Sequence, residues 1–467
     1  MMDKKMRRHP LFGKVRHVHM VGIGGIGMSA IADILLQRDF IVSGSDNRLS
    51  EITSFLQQRG AIIFEGHRAE HIEGADVVVH TSAVAAQENE ETRAALSKNI
   101  PVIKRAEILA ELMQRKFSIG VAGTHGKTTT TTMTAQVVQA GGFDPTAVVG
   151  GRVESFEQNN ALVGNGDIVV VEADEFDRTF LKLPASVAII TNIEVEHVDI
   201  YRDLDDLKEA FLQFAAGVPF YGAVIVCIDD PVVRSLVDQI EGRTITYGLS
   251  PEARLRAVDI EEEGFYSEFT VILDDKELGR ARLKAPGDHN VRNALAAVAA
   301  GLELQISFEQ IRQGLANYTG ILRRFHCQAD TGEILVIDDY AHHPTEVAAT
   351  LEAAKKGWPK RRLVAVFQPH LYSRTRQFHD QFGKSLAAAD VLVVTDVYPS
   401  REEKIEGVTG QLIADAAQKA GHLDVHYVVD KVEIPSALKV LVEPGDIVVT
   451  MGAGDIDQYG KKFCESL

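Results

Sequence analysis

Residues 117–129 read FSIGVAGTHGKTT, and this stretch decides the fold of the chain. Its apolar first half predicts a buried strand, Gly123 and Gly126 predict a tight turn, and the threonine run after Lys127 predicts a helix. A glycine-rich turn between a strand and a helix presents backbone N–H groups to phosphate oxygens at the positive end of the helix. The stretch therefore predicts a nucleotide-phosphate loop in an α/β domain.

The side chains that follow the turn indicate a nucleoside triphosphate. Lys127 is suited to the β- and γ-phosphate oxygens, and the hydroxyl of Thr128 is suited to Mg²⁺. The loop departs from the common G-x-x-x-x-G-K-[ST] pattern, because Val121 occupies the first glycine position and the nearer glycine is Gly123. A simple dehydrogenase has no use for such a loop.

Acidic residues follow the next two apolar strands. The strand DIVVVEAD ends near Glu172 and Asp174, and the strand VAIITN is followed by Glu194, Glu196 and His197. Ligands of open α/β sheets bind at the carboxyl ends of the strands, and carboxylate oxygens suit Mg²⁺. We therefore expect a magnesium-binding edge beside the phosphate loop, with His197 as part of it.

A second glycine-rich turn, GIGGIG, occupies residues 22–27 between a predicted strand and a predicted helix. Bare glycines allow backbone N–H groups to approach a diphosphate, and Asp46, about 20 residues further on, could bind a ribose hydroxyl. This pattern leaves a nicotinamide cofactor, a flavin and another diphosphate nucleotide open.

Composition limits the class of protein. The 467 residues predict about three domains, and the 45% hydrophobic and 25% charged fractions exclude a disordered chain or a rod. A net charge of −17 argues against binding to nucleic acid or anionic lipid. Cys227, Cys327 and Cys464 form no CxxC pair, which excludes a disulfide framework. Without a secretory signal or a membrane-length apolar run, we expect a soluble cytoplasmic protein.

Three successive α/β patterns predict the domains. Residues 1–107 should form a Rossmann-like domain, residues 108–322 a central ATPase-like domain with a phosphate loop and a mostly parallel sheet, and residues 323–467 a second Rossmann-like domain. Shorter strand patterns in residues 243–284 are more typical of an antiparallel edge. No low-complexity linker marks the boundaries.

Nine motifs together carry a resemblance to a known family. They are GIGGIGMS (22–29), GTHGKTT (123–129), EADE (172–175), TNIEVEH (191–197), DHNVRNALAA (288–297), RRF (323–325), DDYAHHP (338–344), FQPHLYSRT (367–375) and GAGDI (452–456). Over essentially its whole length the chain resembles the Mur ligases, ATP-dependent amide-forming enzymes of peptidoglycan synthesis. DDYAHHP alone leaves a tripeptide ligase of cell-wall recycling as an alternative, whereas GIGGIGM, PHLYSRT and GAGDI favour the member that uses L-alanine.

The resemblance implies substrates for each domain. The first would bind the UDP moiety of UDP-N-acetylmuramate, which resolves the dinucleotide ambiguity, through Gly22, Gly24, Gly25, Ile26, Gly27, Ser45, Asp46, His67, Ser82 and Arg105. ATP would be bound by Gly123, Thr124, His125, Gly126, Lys127, Thr128, Thr129, Asn290, Asn293, Arg324 and Asp339. Mg²⁺ would be bound by Thr128, Glu172 and His197, and L-alanine by Tyr340, His342, His370 and Arg374.

The resemblance also implies the reaction. The γ-phosphoryl group of ATP passes to the lactyl carboxylate of UDP-N-acetylmuramate, and the amine of L-alanine attacks the resulting acyl phosphate. Lys127, His197 and His342 are the implied catalytic residues. We expect small-molecule partners only, no nucleic acid, no membrane insertion, and a monomer or homodimer.

The sequence differs from the family pattern at several positions, and two other protein classes are alternatives to a Mur ligase. Phe211 and Leu212 stand where several Mur ligases have a carbamylated lysine, so we predict no carbamate. Leu371 stands where some relatives have arginine. A nicotinamide-dependent oxidoreductase would explain GIGGIG but not GTHGKTT, EADE or DDYAHHP. A non-catalytic nucleotide switch would need the phosphate loop without an acceptor site.

Overall fold

The structure is a computed structural model that describes residues 12–81, 84–114, 116–156, 159–176, 178–195, 200–400 and 402–467. Ser82 and His197, two of the predicted site residues, lie outside the described residues. Within those ranges the strands form three sheets.

The first sheet is parallel, with strand order β3-β2-β1-β4-β5. Its strands are β1 (His17–Val21), β2 (Ile41–Asp46), β3 (Ile62–Glu65), β4 (Val77–His80) and β5 (Val102–Lys104). The helices are α1 (Ile26–Gln37), α2 (Glu51–Gln58), α3 (Glu90–Ser97) and α4 (Arg105–Met113). The sheet order reverses beside β1, and its loops gather at the carboxyl ends of the strands, where open α/β sheets bind ligands.

The second sheet has ten strands in the order β15-β14-β13-β12-β11-β10-β6-β9-β7-β8. The strands are β6 (Phe117–Ala122), β7 (Thr146–Val153), β8 (Asn159–Leu162), β9 (Ile168–Glu172), β10 (Val187–Ile190), β11 (Ala223–Cys227), β12 (Thr244–Gly248), β13 (Leu255–Glu263), β14 (Tyr266–Leu273) and β15 (Lys276–Leu283). The helices are α5 (Lys127–Ala140), α6 (Leu204–Ala216), α7 (Pro231–Leu236), α8 (Asp288–Glu303) and α9 (Phe308–Ala316).

The central strands of this sheet are parallel and buried, as their continuous apolar runs predict. At one edge β8 pairs antiparallel with β7. At the other edge β13, β14 and β15 follow one another in sequence and in the sheet, and the short connections between them require antiparallel neighbours. β12 is parallel to β11 and β13 is parallel to β12, so the antiparallel character predicted for residues 243–284 begins only after β13.

The third sheet has strand order β16-β17-β21-β18-β19-β20 and is parallel except for the pair β16–β17. Its strands are β16 (His326–Asp330), β17 (Leu335–Asp339), β18 (Leu363–Phe367), β19 (Val391–Val394), β20 (Val425–Tyr427) and β21 (Ile447–Met451). The helices are α10 (Pro344–Gly357), α11 (Tyr372–Leu386), α12 (Gln411–Lys419), α13 (Ile434–Leu441) and α14 (Ile456–Cys464).

Contacts divide the chain into two compact units. The first includes the chain up to Val258 with Thr270–Arg280 and Arg292–Tyr318, and the second is Asp259–Phe269, Ala281–Val291 and Thr319–Leu467. Within the first unit one hydrophobic cluster contains both Val18 of β1 and Val169 of β9, so the first two sheets share a core. The predicted boundaries at residues 107 and 322 stay predictions.

Polar bonds join the first two sheets where their elements meet. The Asn160 amide donates to the carbonyl oxygen of Ile26, at the start of α1. Asn159 Nδ2 donates to Asp33 Oδ2 over 2.7 Å, and Arg38 Nη2 donates to Thr146 Oγ1 over 3.1 Å. The glycine turn of the first sheet is thus anchored to the second. Among the described residues, no helix has the length and apolar character of a membrane span.

Candidate active site

The predicted phosphate loop joins the carboxyl end of β6 to α5. Gly123 has φ 135° and Gly126, the N-cap of α5, has φ 81°, backbone conformations that favour glycine. A Cβ at Gly123 would collide with the Thr191 hydroxyl, and one at Gly126 would lie 2.6 Å from Asn293 Oδ1. Backbone conformation and packing therefore both require glycine at these two positions.

The end of β10 fixes the loop from the side. Asn192 Oδ1 accepts from the His125 N–H over 2.8 Å, and Asn192 Nδ2 donates to the His125 carbonyl over 3.0 Å. Thr191 Oγ1 donates to the same carbonyl over 2.6 Å. His125 is therefore held by its backbone, and the loop conformation is set before any ligand binds.

Lys127 points back under the loop. Its Nζ donates to the Gly123 carbonyl over 2.7 Å and to Glu175 Oε2 over 2.8 Å, and its side chain is 12% exposed. Burial lowers the pKa of Lys127, but attraction to Glu175 and the neighbouring carboxylates outweighs burial and raises it overall. Burial raises the pKa of Glu175 against the opposing effect of Lys127. Lys127 is thus a charged ammonium with a carboxylate partner.

Two of the three predicted magnesium ligands lie together beside Lys127. The Thr128 hydroxyl hydrogen-bonds to Glu172, whose Oε2 also accepts from the Gly150 N–H over 2.6 Å. Burial raises the pKa of Glu172, and Lys127 opposes that shift. A hydroxyl and a carboxylate, with the carboxyl group of Asp174 also close to Lys127, are the hard oxygen donors that Mg²⁺ prefers, so these residues fit the ion.

The two asparagines predicted to contact adenine have different surroundings. Asn293 Oδ1 accepts from Thr130 Oγ1 over 3.1 Å, beside the phosphate loop. Asn290 Nδ2 donates to the Pro286 carbonyl over 2.7 Å. Their adenine roles stay predictions.

The predicted alanine residues come together in the second unit. The rings of Tyr340 and His342 are 5.4 Å apart, and those of His342 and His370 are 6.0 Å apart. Arg374 Nη1 lies 3.5 Å from His370 Nδ1. Tyr398, which sequence reasoning missed, stacks on His370 with ring centroids 5.9 Å apart. Its place after β19, at a strand's carboxyl end, was the available signal.

Arg324 and Asp339 lie close to that group in the same unit. The Arg324 guanidinium is 5.3 Å from the centre of the Tyr340 ring, and its Nη1 is 3.6 Å from Glu346 Oε1. Asp339 accepts from the N–H groups of Phe325 and Ala341 over 2.7 and 2.8 Å. Burial raises the pKa of Asp339 to about 6, although Arg324 opposes the shift.

The first glycine turn is built differently. Gly22 has φ 78°, and α1 begins at Ile26, directly after its N-cap Gly25. Asp46 Oδ2 accepts from the Gly24 N–H over 2.9 Å, so the predicted ribose ligand also supports the turn. A Cβ on Gly27 would lie 2.6 Å from Arg105 Nη1, which places the Arg105 guanidinium over the first turn of α1.

Ser45 and His67 contact a residue that sequence reasoning missed. Ser45 Oγ donates to Glu91 Oε2 over 2.5 Å, and His67 Nδ1 lies 3.2 Å from the same oxygen. Glu91 is fully buried. The segment that contains Glu91, ENEETRAAL, has the composition of an exposed helix. Only the burial of the Glu91 side chain in the structure shows that this residue belongs to the site.

Three family models cover most of the chain. They are described as Mur ligase family, catalytic domain (residues 17–117), Mur ligase middle domain (residues 121–301) and Mur ligase, glutamate ligase domain (residues 323–454). The chain belongs to the Mur ligase family. Both the resemblance and the predicted fold class, three α/β domains with mostly parallel sheets, are thereby confirmed.

The matches between this Mur ligase and similar proteins extend over almost the whole chain. It is 53% identical to the UDP-N-acetylmuramate–L-alanine ligase of Salinibacter ruber, over 99% of this chain and 97% of that protein. It is 47% identical to the enzyme of the same name from Geotalea uraniireducens, over 98% and 99%. The solved structure of UDP-N-acetylmuramate-alanine ligase from Thermotoga maritima matches with a TM-score of 0.81 at 32% identity, over 96% and 98%.

Proposed function

We propose that this Mur ligase joins L-alanine to the lactyl carboxylate of UDP-N-acetylmuramate and cleaves ATP to ADP and phosphate. Relatives with this name, 53% and 47% identical over nearly the whole chain, support the choice of substrates. The observation that carries the chemistry is Lys127, a buried ammonium under a phosphate loop and beside a group of carboxylates. We place the reaction in the cytoplasm, where ATP and the sugar nucleotide are available.

The first step is phosphoryl transfer, whose barrier comes mainly from crowded negative charge. The N–H groups at the start of α5 and the Lys127 ammonium would stabilise the charge that develops on the γ-phosphoryl group. Thr128 and Glu172 would hold Mg²⁺, which supplies further neutralisation of the phosphate charge when bound. The product of this step is an acyl phosphate on the sugar nucleotide.

The second step needs an unprotonated amine. His342 Nδ1 lies 3.0 Å from the Tyr340 carbonyl oxygen and 3.3 Å from Glu346 Oε2. A carbonyl oxygen and the oxygen of an ionised carboxylate accept hydrogen bonds and cannot donate them. Nδ1 therefore carries the proton, and Nε2 is the nitrogen able to accept one from the alanine ammonium. We assign His342 this role, with His370 and Arg374 as neighbours that bind the amino acid.

The test measures phosphate release from ATP with UDP-N-acetylmuramate, with and without L-alanine, together with mass detection of the amide product. Release that needs both substrates, with formation of UDP-N-acetylmuramoyl-L-alanine, is the expected result. Release independent of both would instead indicate a nucleotide switch, and a change in NAD(P)H absorbance would indicate an oxidoreductase.

A further inference from the structure

A buried carboxylate lies beside the first glycine turn, and the proposed reaction does not use it. Glu91, on α3, has a side-chain exposure of 0%. Its oxygens contact Ser45 Oγ at 2.5 Å, His71 Nδ1 at 2.8 Å and His67 Nδ1 at 3.2 Å. Taking a carboxylate out of water is costly unless hydrogen bonds compensate it, so this arrangement calls for a reason.

The protons of the cluster can be assigned from its geometry. An ionised carboxylate only accepts, so the Ser45 hydroxyl gives its single proton to Glu91. Ser45 Oγ also lies 2.9 Å from His67 Nδ1, and with its proton already used it must accept there. His67 Nδ1 therefore carries a hydrogen, which is shared between Ser45 and Glu91.

The carboxylate stays ionised in these surroundings. Burial raises the pKa of Glu91, but His19, whose Nε2 lies 3.6 Å from Glu91 Oε1, and the hydrogen bonds from Ser45 and His71 outweigh burial and hold the pKa at about 2. The ring of His71 also stacks on Phe64 with centroids 4.2 Å apart, which fixes that donor in place. Glu91 is thus a constant acceptor at neutral pH.

Ser45 connects the cluster directly to the glycine turn. Its carbonyl oxygen accepts from the N–H groups of Gly22 and Ile23 over 2.9 and 3.1 Å, while its side chain reaches Glu91. The segment that carries His67 is joined to the same strand end, because the Gly66 N–H donates to the Asp46 carbonyl over 2.8 Å. The turn, His67 and Glu91 therefore form one bonded unit.

We propose that Glu91 is a positioning residue of the sugar-nucleotide site. It accepts the hydrogen on His67 Nδ1 and so leaves Nε2 as the nitrogen that takes up a proton and faces the diphosphate of the ligand, in the way that carboxylates orient histidines that bind metals. In its protonated form His67 donates a charge-assisted hydrogen bond from Nε2 to a phosphate oxygen. This inference rests on the proposed function, which supplies the nucleoside-diphosphate sugar.

The first test is Glu91→Gln in the full-length enzyme. We expect the KM for UDP-N-acetylmuramate to rise about tenfold, while kcat and the KM values for ATP and L-alanine change less than about twofold. Glu91→Asp, which keeps the charge, should recover part of the loss. Glu70→Gln is the matched control, because Glu70 is exposed on the neighbouring segment and its side chain is 72% accessible. A fall in kcat together with similar rises in all three KM values would overturn the proposal.

A double-mutant cycle tests whether Glu91 acts through His67. His67→Asn keeps a donor near Glu91 but removes Nε2, so it should raise the same KM about tenfold, and the double variant should be no worse than either single variant. Additive effects of the two substitutions would contradict the proposal.

A spectroscopic measurement keeps the test independent of activity and of unstable variants. In ¹⁵N-histidine spectra of the wild-type chain, neutral His67 should show a protonated Nδ1, and added UDP-N-acetylmuramate should shift its Nε2 signal. A neutral His67 with the hydrogen on Nε2 would refute the positioning role. Failure of ligation with this tautomer intact would refute only the proposed function.

Discussion

The two glycine-rich turns of this Mur ligase both join a strand to a helix, yet the charged side chains beside them differ. In the first, the helix N-cap Gly25 has an ordinary φ of −67°, and Asp46 bonds the backbone of the turn. In the second, the N-cap Gly126 has φ 81°, and Lys127 lies under the loop against Glu175. The difference matches their proposed tasks: the first turn binds a diphosphate that stays intact, and the second stabilises a phosphoryl group in transfer.

Replacing the charge of the second turn should have the largest effect. Lys127→Ala removes the ammonium that stabilises the transferred phosphoryl group, and loss of one such contact lowers kcat by roughly two to three decades. Initial-rate kinetics with all three substrates measure this fall in kcat.

Lys182→Ala is the control, since its side chain is 50% exposed and pairs with Glu107 at 3.1 Å. It should keep wild-type kcat. Full ligation by the Lys127 variant would remove the proposed distinction between the two turns.

The carboxylate beside the second turn should set the magnesium requirement. Glu172→Gln weakens a ligand of the ion, so the Mg²⁺ concentration for half-maximal activity should rise at least about tenfold. Asp167→Asn is the control, because Asp167 precedes the same strand and its side chain is 91% exposed. An unchanged Mg²⁺ titration for the Glu172 variant would exclude it as a ligand.

A matched pair of alanines compares the backbones of the two turns. Gly126→Ala forces a left-handed φ on alanine and brings Cβ to 2.6 Å from Asn293 Oδ1, so it should cost about 1–2 kcal/mol of unfolding free energy. Gly25→Ala has an ordinary φ, with 3.4 Å to the Gly22 carbonyl oxygen, and should change stability by less than about 0.5 kcal/mol. Chemical denaturation measures both, and equal losses would contradict the comparison.

The smallest effect should come from the acid of the first turn. Asp46→Asn keeps an acceptor for the Gly24 N–H but removes its charge, and hydrogen bonds to charged groups are stronger by roughly 1 kcal/mol. We expect a stability loss of about that size and a higher KM for UDP-N-acetylmuramate, with kcat retained. A fall in kcat with an unchanged KM would show that Asp46 serves the chemistry and not the turn.

Local patterns predicted most of this architecture. The strand, turn and helix around Gly123 and around Gly24 follow from apolar runs and glycine spacing, because these features act within a few residues. The Lys127–Glu175 pair could not be predicted, since it depends on how the chain after β9 folds back. Glu91 was missed for a related reason: its helix has an exposed composition, and its burial comes from residues over twenty positions away.

The paired Lys127 also determines how the phosphate loop responds to the salt around it. Its charge is already balanced by Glu175, so chloride or a lone phosphate ion would have to break that pair and leave the carboxylate without a cation. ATP that arrives with a divalent cation would bring anionic oxygens to Lys127 and positive charge to the group of carboxylates that includes Glu175. In a protein of net charge −17, the loop should therefore select a cation and a polyphosphate together and remain largely free of the small anions that fill a cell.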